Sequence, residues 1–310
     1  FAFGVVRAVS TPAQRAMMPN LMPAADFPSA VAWSSFSWQV ATIGGPALGG
    51  LLYVQGPAVV YGATALALLA AAAAVLGISP RRPVATVERP DLASLLAGVR
   101  LIFRHKLLLG AISLDLFAVL FSGAAALLPV FARDILHVGP EGLGVLRSAP
   151  GLGAVAMALL LTQWPLKRHV GRRLFTAIGV FGLAAVAFGL SRHAPLSFLA
   201  LALLGAADNV SVYVRGSLVP LATPDALRGR VVAVEAVFIG ASNELGAFVA
   251  GSAAALAGPV AAVVLGGSLT LGVAVLWSAL FPSLRAVDRM ESVGPGFPPG
   301  PPAHKLAEPV

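Results

Sequence analysis

Five ionisable side chains stand inside long apolar stretches of this chain: Asp115, Arg147, Asp208, Arg215 and Glu244. A charge in hydrocarbon surroundings is costly unless it is paired or hydrated, so residues of this kind are candidates for function. Asp208 and Glu244 lie nearest the middle of their stretches, where a carboxylate shielded from bulk water can bind and release a proton. Each has an amide beside it, Asn209 and Asn243. Proton coupling or substrate contact is one reading of these four residues. A structural pair with an arginine, or a helix–helix hydrogen bond, is the other. Arg215 follows Asp208 by seven residues, which places both on one face of a helix. It either pairs with a carboxylate or extends its stem toward lipid headgroups. Asp115 and Arg147 enter from opposite ends of their stretches and are candidates to line a substrate path. Glu235, close to Arg228 and Arg230 near the end of a stretch, reads as structural.

The elements that carry these residues are membrane helices. Only 11% of the 310 residues are charged and 58% are hydrophobic, against about 25% charged in soluble domains; the mean hydropathy is +0.87. A helix needs roughly 20 apolar residues to cross a bilayer. By that measure eight full spans cover residues 28–53, 58–79, 107–131, 142–164, 173–190, 196–221, 231–256 and 259–282, after a partial one over residues 1–18. The fold class is therefore an all-α membrane protein. The chain opens with Phe1 inside an apolar stretch, without an initiator Met or a cleavable leader, and is expected to be truncated at its N-terminus.

Charge sets the orientation. Of the 21 Lys and Arg, 17 fall in alternate connections on one side and only Arg133 and Arg192 on the other, with Arg147 and Arg215 inside spans. Basic connections face the cytoplasm, so the C-terminus is expected there. The net charge of +8 does not point to nucleic acid, because the cations punctuate apolar runs rather than cover one face of a polar domain. With no cysteine, thiolate metal sites are excluded. His105, His137, His169, His193 and His304 lack paired metal spacing. No Walker, HExxH or GxSxG motif is present, so no cofactor, metal or enzymatic activity is expected.

The longest connector, residues 80–106, is basic and proline-containing, with an amphipathic stretch from Leu92 to Phe103. It separates a partial front half, residues 1–79, from six complete spans in residues 107–282. Residues 283–310 form a Pro- and Gly-rich tail expected to be disordered. Arg15-Ala16-Met17-Met18-Pro19, followed by Pro23 and Asp26, is echoed by Arg215-Gly216-Ser217-Leu218-Val219-Pro220, followed by Pro224 and Asp225. Such an echo is expected of parallel repeats about an axis along the membrane normal.

Three stretches resemble the major facilitator superfamily, and within it the drug and siderophore (enterobactin-exporter-like) antiporter branch. Gly44-Gly45-Pro46-Ala47-Leu48-Gly49-Gly50 looks like the antiporter motif of the fifth helix, Arg7 to Pro23 like the end of the fourth, and Phe238 to Gly246 like the eleventh. The resemblance runs over residues 1–285. It implies a helical bundle in which this chain supplies helices four to twelve of twelve, with about three missing in front. It also implies that Asp115, Arg147, Asp208, Arg215 and Glu244 fall on helices beside the cavity. Gly44, Gly45, Pro46, Gly49 and Gly50 allow close packing and a bend that shapes the cavity and limits leak. Gln39, one turn earlier, is placed to face the same space. The family's basic loop motif appears as Trp164-Pro165-Leu166-Lys167-Arg168-His169-Val170-Gly171-Arg172-Arg173, which keeps Gly171, Arg172 and Arg173 but has Arg168 where the family has Asp.

The expected function is proton-coupled export of a small hydrophobic or amphiphilic molecule across a bacterial inner membrane by a multi-pass, monomeric transporter. Its partners are that substrate, protons and the lipid bilayer. A facilitator or importer of the same fold, or a non-transporting membrane scaffold, is the alternative.

Overall fold

The computed structural model describes residues 27–77 and 92–294 of the chain. The partial first span, the first copy of the internal repeat and residues 295–310 of the tail lie outside the described residues. Every regular element among the described residues is helical, and they fall into two compact units that divide between Arg89 and Pro90.

The first unit contains α1 (Phe27–Tyr53) and α2 (Pro57–Leu76), joined by a turn in which Gly56 adopts φ 111°. That backbone favours glycine. Pro57 then opens α2, where its missing N–H costs nothing. The helix α1 runs on through Pro46. A Cβ placed on Gly44, Gly45 or Gly49 would meet nothing, so the close helix approach expected at these small residues has no partner among the described residues of this unit.

The second unit starts with α3 (Leu92–Arg104), which belongs to it and packs on α9, although the sequence puts this segment in the connector. The membrane helices follow. They are α4 (Lys106–Ser122) continued by α5 (Ala124–Val130) and a π-turn (Phe131–Ile135), then α6 (Gly139–Gln163), α7 (Val170–Leu190), α8 (Ala194–Ala222), α9 (Asp225–Ala257) and α10 (Pro259–Leu280). Pro140, Pro195 and Pro259 sit in the first turns of α6, α8 and α10. Seven of the described helices are long and apolar enough to cross a membrane, and a further apolar stretch, Val40–Tyr53, lies in α1.

The expected span 107–131 is longer than read from the sequence and broken: Lys106 to Ile135 is one membrane-length element, interrupted where Gly123 takes φ 45°. A Cβ on Gly123 would collide with Ala250 of α9. Glycines also let α6 and α8 touch through their backbones, at Gly153 against Ala202 and Gly205 against Pro150. The same device brings α7 and α10 together at Gly182 and Gly267. In a bilayer, where lipid tails are as apolar as leucine, such close van der Waals contact is what holds helices together. Outward-facing Leu199, Leu203, Val237, Phe248, Leu256 and Val275 are exposed, as a lipid-facing surface requires.

The segment expected to begin a disordered tail is partly folded. A short helix α11 (Pro282–Arg285) and a 3₁₀ turn (Met290–Ser292) follow α10, and Leu284, Val287 and Val293 are buried. Those three apolar side chains find space among Ile102, Leu108, Val170 and Leu174, and their burial fixes residues 282–294.

Candidate functional site

Three helices bring their charges to one point. Arg215 of α8 presents Nη2 to Oδ1 of Asp115 on α4 at 2.9 Å, and donates from Nη1 to Oε1 of Glu235 on α9, also at 2.9 Å. Asp115 and Arg215 are 3% and 5% exposed. These are short, charge-assisted contacts away from solvent, the strong kind of hydrogen bond. The Nε of Arg215 has no partner.

The spacing on α8 explains the placement. Asp208, Ser211 and Arg215 recur at i, i+3 and i+7, one stripe of a helix. Val214 and Leu218 beside Arg215 are fully buried, so the stripe is driven into the bundle. Two residues on from Asp115 in α4, Phe117 packs against Trp277 of α10 with ring centroids 5.1 Å apart and the rings tilted by 54°, and the indole N–H of Trp277 donates to Ser113 Oγ at 2.8 Å. This apolar wall limits water at Asp115 and holds the cost of an unpaired charge high. Asp208, two turns deeper on α8, is half-buried and lies within electrostatic range of Asp115, which repels it, and Arg215, which attracts it. The group therefore contains three carboxylates and one guanidinium.

The sequence candidates separate on this geometry. Asp115 and Arg215 come together, with Asp208 two turns away along α8, and Arg215 pairs with carboxylates rather than extending to headgroups. Asn209 is half-buried beside Asp208. Glu244 is exposed: on α9 the packed stripe is Ser242, Gly246 and Ala250, and Glu244 lies off it. Asn243 is exposed too and donates to Ile239 O of its own helix at 2.8 Å. Arg147 is exposed on α6 and makes no ion pair among the described residues. The side chain of Gln39 lies outside the described residues. Glu235, read from the sequence as a structural neighbour of Arg228 and Arg230, is the second carboxylate on Arg215.

The basic loop motif forms a second local structure. Gly171 is buried and donates its N–H to Val287 O at 2.9 Å, Val170 donates to Asp288 O at 3.2 Å, and the His169 N–H donates to Asp288 Oδ1 at 2.9 Å. A Cβ on Gly171 would collide with the carbonyls of Leu284 and Arg285, so glycine is required for this approach. The His169 N–H holds the Asp288 carboxyl below the usual carboxylate range, aided by His169 itself, Arg168 and Arg289. The loop thus receives from the folded-back segment a carboxylate where its own sequence has Arg168. Arg172 and Arg173 are exposed.

Comparison with known proteins fits the helical architecture. The family described as transmembrane secretion effector matches residues 1–307. The chain is 27% identical over 303 residues to the enterobactin exporter EntS of Citrobacter koseri, an alignment covering 95% of this chain and 71% of that protein. It is 27% identical over 285 residues to EntS of Escherichia coli O1:K1 / APEC, covering 91% and 68%. For EntS of Shigella dysenteriae serotype 1 the identity is 26% over 284 residues, with the same coverage.

Proposed function

Because the chain belongs to the transmembrane secretion effector family of the major facilitator superfamily, and so is a membrane transporter rather than an enzyme, we propose that it exports a small hydrophobic or amphiphilic compound in exchange for protons. The observation that supports this reading is the charge imbalance around Arg215. With Asp115, Asp208 and Glu235 all ionised, two negative charges would stand uncompensated among buried helices. Each would cost several kcal/mol. Bound protons remove that cost, and their release has to coincide with a conformation that admits water or a substrate. A group of this composition therefore binds protons in one state of the transporter and yields them in another, which is the requirement for coupling.

The roles follow from position. Arg215 is the fixed counter-ion of Asp115 and Glu235. Asp208 is half-buried, has no direct cationic contact, and is the carboxylate that exchanges its proton. Arg147 and Asn209 are the candidates for substrate contact in the second unit. Because EntS relatives carry the name of enterobactin exporters, enterobactin is the first compound to test, with other amphiphilic molecules beside it. The basic connections support a cytoplasmic C-terminus, and the proposed working unit is a monomer in the bacterial inner membrane.

The test is substrate-driven proton movement in proteoliposomes holding the full-length transporter, with Asp208→Asn in parallel. Wild type should acidify or alkalinise the lumen only when an exported compound is present, and Asp208→Asn should abolish that flux while still exchanging labelled substrate down its gradient. Equal proton flux in the two proteins would remove Asp208 from the coupling role.

A further inference from the structure

We propose that the basic end of α7 and the folded-back segment after α10 together form a binding site for the phosphate headgroup of an anionic phospholipid. The two segments carry six cations: Lys167, Arg168, Arg172, Arg173, Arg285 and Arg289. All six are exposed and make no ion pair among the described residues. They come from two segments far apart in sequence that the backbone bonds from Gly171 to Val287 and from Val170 to Asp288 hold side by side. The contact is tight at Gly171, whose missing Cβ would strike the carbonyl of Arg285 itself. Both Arg168 and Arg289 act on the one carboxylate between them, Asp288. That carboxylate is already engaged by the His169 N–H.

Two features distinguish this patch from an ordinary basic connection. First, Arg172 and Arg173 occupy the first turn of α7, which contains no acidic residue. The helix dipole is positive there, so cations are disfavoured and an anion is favoured. The arrangement is stable when a further negative group sits against it. Second, the patch lies at headgroup depth. The helices α6, α7 and α10 all end within it, at Gln163, Val170 and Leu280. Trp164 projects outward at the same level, 65% exposed. An exposed tryptophan at a span end is the usual anchor at the membrane–water boundary. A phosphate presented by a bilayer lipid reaches this point without leaving its leaflet, and basic pockets between membrane helices bind such headgroups.

The lipid is named by its chemistry, a phosphodiester with net negative charge such as phosphatidylglycerol, and not a zwitterionic phosphatidylcholine. The measurement is the relative affinity of spin-labelled phosphatidylglycerol over spin-labelled phosphatidylcholine for the reconstituted full-length transporter. Three variants accompany it: Arg172→Gln/Arg173→Gln, Arg285→Gln/Arg289→Gln, and Arg192→Gln at the far end of α7. Wild type should prefer phosphatidylglycerol. Each double variant should lose about fivefold of that preference per arginine removed, and Arg192→Gln should retain it. Using two double variants on separate segments guards against misfolding of either, and insertion is checked by proteolysis of the reconstituted protein. Unchanged preference in both double variants, or an equal loss in Arg192→Gln, would overturn the site. Displacement of the lipid by inorganic phosphate at matched concentration would also overturn it, because the patch would then be a free-anion site.

Discussion

Removing Arg215 should be the most damaging single change in the bundle, and its size can be worked from the contacts. The guanidinium neutralises two carboxylates, each at 2.9 Å. With charge centres about 4 Å apart and an effective dielectric of about 20, each pair is worth about 4 kcal/mol of attraction, much of which only offsets the desolvation of the charges. Taking the shared partner away leaves that desolvation uncompensated, and the usual cost for one broken buried pair is about 3–5 kcal/mol. Two carboxylates are stranded here, so Arg215→Gln should lie near the upper end, about 5 kcal/mol.

The neutral triple variant Arg215→Gln/Asp115→Asn/Glu235→Gln keeps the shapes and removes every charge. Replacing a buried ion group by neutral neighbours is often close to free, and the triple should recover to within about 2 kcal/mol of wild type. The assay is reversible unfolding by added denaturing detergent in mixed micelles, followed by tryptophan fluorescence. Trp277 packs on Phe117, two residues from Asp115, and reports this region directly. A loss below about 1 kcal/mol in the single variant, or a triple variant no more stable than the single, would refute the reasoning that Arg215 acts as a shared counter-ion.

Four further outcomes follow. Gly123→Ala should destabilise by about 2–4 kcal/mol, from a positive φ that alanine disfavours and a collision with Ala250, measured by the same unfolding assay. Glu244→Gln should retain substrate-driven proton flux where Asp208→Asn loses it, since Glu244 lies outside the Arg215 group; equal loss in both would return it to the coupling site. Gly171→Ala should expose the Val170 and Gly171 amides to rapid hydrogen exchange, because a Cβ there displaces the carbonyls of Leu284 and Arg285. Asp288 is held below the ordinary carboxylate range, so its stabilisation of the His169 contact is fully present above that range and is lost only as pH falls through the lowered value. Exchange protection of the His169 amide should therefore persist down to about pH 4, and its loss well above that pH would remove the Asp288 carboxylate as the group that holds it.

Membrane helices are the part of this molecule most legible in sequence, because a length of apolar residues is all that a span requires. The expected 259–282 and the observed Pro259–Leu280 differ by two residues. What the sequence concealed are features decided by contact between distant segments. The break at Gly123 is set by Ala250, and nothing local separates Gly123 from the other glycines of the chain. Residues 282–294 sit in a polar, basic stretch whose average composition resembles the tail beyond it. Only the positions of Leu284, Val287 and Val293 signal that it folds, and each needs a cavity formed by α3, α4 and α7 to become buried.

The Arg215 group was half legible for a related reason. Asp115, Asp208 and Arg215 stand out because they interrupt apolar runs, but Glu235 does not, since it lies near a basic turn and the expected span began only at residue 231. In fact α9 begins at Asp225, which sinks Glu235 ten residues into the helix. At 1.5 Å per residue that is about 15 Å from the turn. Arg215 lies seven residues before the end of α8 at Ala222, about 10 Å, and Asp115 nine residues beyond the start of α4 at Lys106, about 14 Å. All three distances are measured from the same basic side, because alternate helix ends share a side. Similar depth, about 10 to 15 Å, on three neighbouring helices is a signal the sequence does contain, once helix starts are set by their turns rather than by hydropathy. By the same measure Asp208 lies about 21 Å in, closer to the middle of the bilayer than any of its partners. That difference in depth separates a carboxylate held by its arginine from one placed to give up its proton to either side.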